Sequence, residues 1–204
     1  DQRLSRGLGD VYKRQDPNAD GLMLLATNGY TKLFDYISNT NKTYKVIAML
    51  GYSSPTLDVD SEITKHDDIN AHQLQTQIQE FLTNLVGEST QTPPIYSAIK
   101  VKGKRLYKYA RQNQDVEIPD RTIFVESTEL LEVNENKVTF EITVSKGTYI
   151  RSIVQQLGEY VNTHAIVETL TRTAIGSLNI NHKSLNTNVE SLNHNSTIMS
   201  LDWA

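Results

Sequence analysis

The chain of 204 residues contains no cysteine. That excludes disulfides, thiol nucleophiles and thiolate-held metals. No apolar run reaches the roughly 18 residues that a membrane-spanning helix needs, and the first residues carry no secretory-signal pattern. No membrane partner is expected, and a soluble cytoplasmic protein is the default. No G-x-S-x-G elbow, P-loop or dinucleotide fingerprint occurs. The five histidines, His66, His72, His164, His182 and His194, nowhere pair at metal-ligand spacing on a predicted helix. A general excess of positive charge is also missing. Twenty Lys and Arg stand against 24 Asp and Glu, a net charge of −4, which taken as a sum argues against nucleic-acid binding.

What is there begins with patterning. Residues 138–144, VTFEITV, alternate apolar and polar and read as a half-buried strand. Residues 150–161 place Ile150, Ile153, Val154, Leu157, Tyr160 and Val161 at helical spacing. Thr148 is the expected N-cap between them. Residues 122–133 and 138–144 are expected to form a hairpin about Asn134-Glu135-Asn136. Residues 44–50 read as a strand buried on both faces. Residues 22–26 read as a short buried strand after the turn DPNADG. Residues 70–87 read as the clearest helix, with Asn70 and Gln73 as a capping box and Gly87 just past its end. A returning strand is expected from Ile63, a last strand within 170–178, and short helices over 31–37 and 184–192. Strands and helices mix without βαβ alternation. The expected class is therefore α+β, with a mixed, largely antiparallel central sheet, flanking helices and a basic thumb-like insertion over about 96–120.

Three groups of residues could carry chemistry. Residues 100–111, KVKGKRLYKYAR, hold Lys100, Lys102, Lys104, Arg105, Lys108 and Arg111 and no acid, so the other 192 positions sum to −10. Tyr96, Tyr107 and Tyr109 are interleaved. Cations meet phosphates and aromatic faces take unstacked bases, so this segment points to RNA. The competing explanation is a solvated amphipathic helix with Leu106, Tyr109 and Ala110 inward. Asp58, Asp60 and Glu62 alternate in PTLDVDSEI as hard-metal ligands can, yet nothing nearby completes a coordination shell, and a polar loop accounts for them better. Arg151 falls in the first turn of a predicted helix, where the dipole disfavours a cation. It needs an anion there, either a carboxylate or a ligand phosphate. From that stretch alone, a solvated arginine and a core Tyr149 remain the simpler explanation.

Four stretches taken together resemble the bacterial tRNA pseudouridine synthase B family. They are DPNADG at 16–21, KTYKVIAMLG at 42–51, PPIYSAIKVKGKRLYKYAR at 93–111 and SKGTYIRS at 145–152. The resemblance implies an isomerase that converts the T-loop uridine conventionally numbered 55 in tRNA. It implies no cofactor, no metal, the tRNA T arm as partner and no obligate protein partner. It implies that Asp16 is the catalytic aspartate, that Tyr44 stacks on the flipped uracil, and that Tyr149 and Arg151 line the pocket, with Arg151 paired to Asp16. Leu170 is implied as an apolar pocket residue and Asp58 as an acidic loop residue near the site. The basic insertion, with Tyr96, is implied as the loop that grips RNA. A non-catalytic structured-RNA binder or tRNA-folding chaperone on the same fold is the alternative. A metal-dependent phosphoesterase using Asp58, Asp60 and Glu62 is a third.

The sequence departs from that family before Asp16. The family precedes its Asp-Pro with Gly-His-Thr-Gly-x-Leu, whereas here SRGLGDVYKRQ stands. Residues 1–15 are therefore expected to be foreign to a catalytic domain spanning 16–204, and the chain is expected to be poorly stable and weakly active. Leu170-Thr171-Arg172 replaces Leu-Arg-Arg, and Ser53-Ser54-Pro55-Thr56 replaces Arg-Thr-Asp-Thr. The family's small C-terminal RNA-binding domain is expected to be absent.

Overall fold

The computed structural model describes residues 19–24 and 39–180. Its strands, in chain order, are β1 (Ala19–Gly21), β2 (Lys42–Leu50), β3 (Tyr52–Ser53), β4 (Thr64–Lys65), β5 (Gly87–Gln91), β6 (Lys100–Val101), β7 (Lys104–Arg105), β8 (Arg121–Asn134), β9 (Lys137–Val144), β10 (Ala165–Ile175) and β11 (Leu178–Asn179). The helices are α1 (Gln75–Asn84), α2 (Leu106–Arg111) and α3 (Ile150–Tyr160), and one 3-10 turn, Ala71–Leu74, leads into α1. The main sheet runs β1-β10-β2-β9-β8-β5, with β11 folded back on β10. β1 and β10 are parallel, and the other pairs are antiparallel. This is the expected α+β class.

Period-two patterning explains the middle of the sheet. Val138, Phe140, Ile142 and Val144 of β9 are all buried, and so are Val46, Ala48 and Leu50 of β2. The strands pair in register, Val46 opposite Phe140 and Ala48 opposite Val138, so their apolar residues share one face. Both α1 and α3 lie on that face. Ile78 and Leu82 of α1, and Ile153, Val154 and Leu157 of α3, are fully buried in the same cluster. Burying such side chains contributes roughly 1.5–3 kcal/mol each.

The helix and sheet pack tightly where α3 crosses the start of β10. A Cβ added at Gly158 would sit 2.6 Å from the Ala165 nitrogen and 2.8 Å from the His164 carbonyl carbon. Main chain cannot swing aside as a side chain can. Gly158→Ala is expected to lower stability by about 1–3 kcal/mol, although alanine favours an isolated helix by about 1 kcal/mol. Urea unfolding reads the difference, and an unchanged midpoint would mean that α3 lifts freely off β10.

Several local expectations are corrected. The first strand is not residues 22–26 but Ala19–Gly21, inside the segment read as a turn, and it is exposed apart from the buried Leu22 that follows. Residues 25 and 26, like the helices expected over 31–37 and 184–192, lie outside the described residues. β2 is fully buried on one face only, since Lys45 is exposed and Ile47 and Met49 are half-buried. The expected helix over 70–87 divides. Asn70 accepts from the His72 N–H rather than forming a box with Gln73, and α1 ends at Asn84. Gly87, at φ +113°, opens β5 instead of closing the helix. The strand expected within 170–178 is the end of β10, which starts at Ala165, five residues ahead of the expected range, and the short β11 follows it.

Candidate active site

The expected N-cap of α3 is displaced by one residue. Tyr149 is the N-cap, in extended conformation at φ −100° and ψ 109°, and its side chain makes no capping bond. Its main chain is instead held from outside the helix. The Gln91 side chain accepts from the Tyr149 N–H at 2.8 Å and donates to the Tyr149 carbonyl at 3.0 Å. Gln91 ends β5 and is 1% exposed.

Arg151 follows, and at 3% exposure it is not a solvated arginine. Its Nη1 lies 3.3 Å from Asp58 Oδ2 and donates to the Thr56 carbonyl at 2.8 Å. Its Nη2 donates to the Tyr96 carbonyl at 3.2 Å. The anion that a cation at a helix start requires is thus supplied by Asp58, with two carbonyl oxygens beside it.

Asp58 is positioned by its own loop. Ser54 Oγ donates to the Asp58 carbonyl, Thr56 Oγ1 donates to Asp58 Oδ1 at 2.5 Å, and the Asp60 N–H donates to the same oxygen at 3.0 Å. Leu57 takes φ +63°, a conformation that a branched side chain resists. Beside it, the Val167 N–H donates to the Leu57 carbonyl at 3.0 Å, and Asp58 bridges to Val167, so the loop rides on β10. Asp58 Oδ2 accepts no hydrogen bond among the described residues and faces the guanidinium alone. Asp58 is spent on these contacts, and among the described residues no three His, Cys, Asp or Glu side chains gather into a metal-holding group. The phosphoesterase reading loses its residues.

Ala19, Asp58, Asp60, Arg151, Glu168 and Leu170 line a small cleft, with free space for about one water molecule. β1 reaches it by running beside β10, with Ala19 opposite Leu170 and Gly21 opposite Arg172. Gly21 sits at φ +101°, and a Cβ there would fall 2.3 Å from the Arg172 carbonyl oxygen, so only glycine permits this approach. Arg172 Nε then donates to the Leu22 carbonyl at 2.7 Å.

The cleft thus brings Asp58, Arg151 and Leu170 together, with Tyr149 adjoining Arg151 in sequence. Tyr44 does not line it. Tyr44 lies opposite Arg172 on β2, two residues from Val46, the partner of Leu170, so it is a diagonal neighbour of Leu170 on the same sheet face. Asp16 lies outside the described residues, as does its expected pairing with Arg151. One feature had no signal in the sequence. Lys42, one strand repeat before Tyr44, is half-buried, and its pKa is held below the usual lysine value by burial and by the nearby charges of Lys146 and Arg172.

The basic insertion is a short hairpin, β6–β7, followed by α2. Lys100, Lys102, Lys108 and Arg111 are exposed, whereas Lys104 and Arg105 are half-buried. Lys104 sits 4.3 Å above the Tyr109 ring, Arg111 lies 5.5 Å from the Tyr107 ring, and the Tyr109 hydroxyl donates to the Val101 carbonyl. Leu106 is fully buried, and Tyr109 and Ala110 are half-buried, so the amphipathic-helix explanation and an exposed basic face are both realised. The double proline before the segment, a stop to regular structure that could let it stand away as a loop, does not detach it. Pro93 and Pro94 are buried, and the Thr92 carbonyl accepts from Ser152 Oγ at 3.0 Å.

Solved structures share this fold, two of them as follows. The crystal structure of a Cbf5-Nop10-Gar1 complex matches with a TM-score of 0.55 at 24% identity, covering 78% of this chain and 37% of that one. The archaeal box H/ACA sRNP Nop10-Cbf5 complex matches with a TM-score of 0.52 at 21% identity, covering 78% and 36%. At these identities the likeness concerns the fold alone. The class follows from the family model that residues 14–150 match, described as TruB family pseudouridylate synthase, N-terminal domain. The chain belongs to the TruB family. Proteins named tRNA pseudouridine synthase B are similar along most of it. The one from Mycoplasmopsis pulmonis is 38% identical over 81% of this chain and 58% of its own length, and that from Mycoplasma mobile is 41% identical over 80% and 57%. The Bacillus cytotoxicus protein is 33% identical over 93% of this chain and 65% of its own. The chain thus spans about three-fifths of the length of such relatives. Among the described residues, no helix is long and apolar enough to cross a membrane.

Proposed function

We propose that this domain isomerises the T-loop uridine numbered 55 by convention in tRNA to pseudouridine, with Asp16 as the essential carboxylate. The observation that carries the reading is the buried Arg151 in a cleft whose wall includes Ala19, three residues after Asp16. Asp16 lies outside the described residues, and its entry into this cleft is part of the proposal.

The chemistry fits the residues. The N1–C1′ bond of uridine breaks, the base turns, and a C5–C1′ bond forms while the C5 proton leaves and N1 gains one. Atoms and electrons balance without an oxidant. An aspartate is ionised at neutral pH, and it serves either as nucleophile towards ribose or base or as a base at the sugar. A fixed guanidinium keeps a neighbouring carboxylate ionised once water has left. The uracil must leave its stack, and Tyr44, beside Leu170, offers a replacement face. Lys42, Lys146 and Arg172 near Tyr44 suit the phosphates that accompany a flipped nucleotide. The exposed cations of the insertion suit the rest of the T arm.

The test is to incubate an unmodified tRNA transcript with this chain, and with a version in which residues 1–15 are replaced by the family's own N-terminal sequence, and to map pseudouridine along it. Pseudouridine at the T-loop uridine alone is the expected result. Retained tRNA binding with no pseudouridine anywhere would favour the non-catalytic RNA binder.

A further inference from the structure

The residues that lead into the basic insertion do not merely pass α3. Gln91 holds both main-chain groups of Tyr149, the Thr92 carbonyl takes Ser152 Oγ, and the Tyr96 carbonyl takes Arg151 Nη2. Four hydrogen bonds therefore run from residues 91–96 to residues 149–152. Between Gln91 and Tyr96 lie Pro93 and Pro94, both buried, whose fixed φ makes the link stiff.

Gln91 is the centre of this link. A buried primary amide is a demanding group, since its donor and its acceptor both need partners. Here each finds one on a single residue, as a neighbouring strand's main chain would offer. Tyr149 in turn cannot use the helix for its N–H, because the first N–H groups of a helix have no partner within it. The N-cap conformation of Tyr149 sets the direction in which α3 starts, and hence where Arg151, two residues on, meets Asp58.

We propose that Gln91 is a positioning residue for pseudouridine formation. It locks the Tyr149 main chain so that the Arg151 guanidinium, two residues on, is aimed into the cleft, and it ties that aim to the root of the basic insertion. This rests on the function proposed above.

The experiment compares wild type, Gln91→Leu and Gln91→Glu as full chains. Leucine keeps the bulk and removes both hydrogen bonds. Protonated glutamate offers the same acceptor and a donor, whereas ionised glutamate sets a negative charge against the Tyr149 carbonyl. Single-turnover pseudouridine formation, tRNA binding and peptide-resolved amide exchange over 148–153 are measured. For Gln91→Leu the expected result is a fall of about 30-fold or more in the single-turnover rate, a tRNA Kd within threefold of wild type, and exchange at Tyr149 at least tenfold faster. Gln91→Glu is expected to approach wild type at pH 5.5 and to lose at least tenfold relative to it by pH 8. It also decides the matter if the leucine variant does not fold.

A leucine variant with the wild-type rate, or one whose whole loss lies in Kd, overturns the proposal. So does a glutamate variant whose pH profile parallels wild type. If wild type forms no pseudouridine, the proposed function has failed. Gln91 is then judged on exchange alone, and unchanged protection at Tyr149 in Gln91→Leu overturns its role.

Discussion

Asp16→Asn should abolish pseudouridine formation while leaving tRNA binding intact. Asparagine keeps the size and shape of the side chain but can neither attack as a carboxylate nor take a proton. Losing a positioned base or nucleophile removes about 10²–10⁴ in rate, and where no other carboxylate can substitute the remainder falls below detection. Asp58 cannot substitute, because its oxygens are engaged by Arg151, Thr56 and the Asp60 N–H. Binding should survive, since removing a negative charge does not repel phosphates. Tritium release from 5-tritiated uridine in tRNA, with a filter-binding measurement beside it, reads both quantities. Turnover retained in the variant would remove Asp16 from the mechanism.

Arg151→Met should be the most destabilising single change at the site. It leaves the Asp58 carboxylate buried with its compensating charge gone, which costs about 3–5 kcal/mol, and it strands the carbonyls of Thr56 and Tyr96. Arg151→Lys should recover only part of this, because an ammonium cannot spread along the planar fork that meets Asp58 and both carbonyls. Asp58→Asn should cost less than Arg151→Met, since an amide oxygen can still accept from Thr56 and Asp60. Combined, Arg151→Met and Asp58→Asn should lose less than the sum of the singles, by about 1–3 kcal/mol. Urea midpoints of the four proteins give that coupling. Strict additivity would show that the two groups are neighbours without being partners.

The parts of this fold that were legible in the sequence are those where one residue pattern decides the outcome locally. The hairpin of β8 and β9 turns at Glu135 and Asn136, where the sequence places it, because alternation over residues 138–144 allows one register only. The apolar stripe of α3 was equally plain, apart from Tyr160, which is exposed. β1 was misplaced because Ala19-Asp20-Gly21 has no apolar pattern, and it is a strand only through its pairing with β10. The site divided in the same way. Arg151 at a helix start announced that it needed an anion, but nothing local said which carboxylate, and Asp58 is fixed by its bridge to Val167. Gln91 gave no signal at all. It is one polar residue at the end of a polar strand, and its meaning lies 58 positions away.

The walls of the cleft come from stretches of chain far apart, near residues 19, 58, 151 and 170. Loop-closure entropy makes such distant pieces slow to meet. A fragment that omits any of these stretches would lack a wall of the cleft. A molecule in which any one of these stretches is out of place would keep its charged β6–β7 hairpin and lose the cleft.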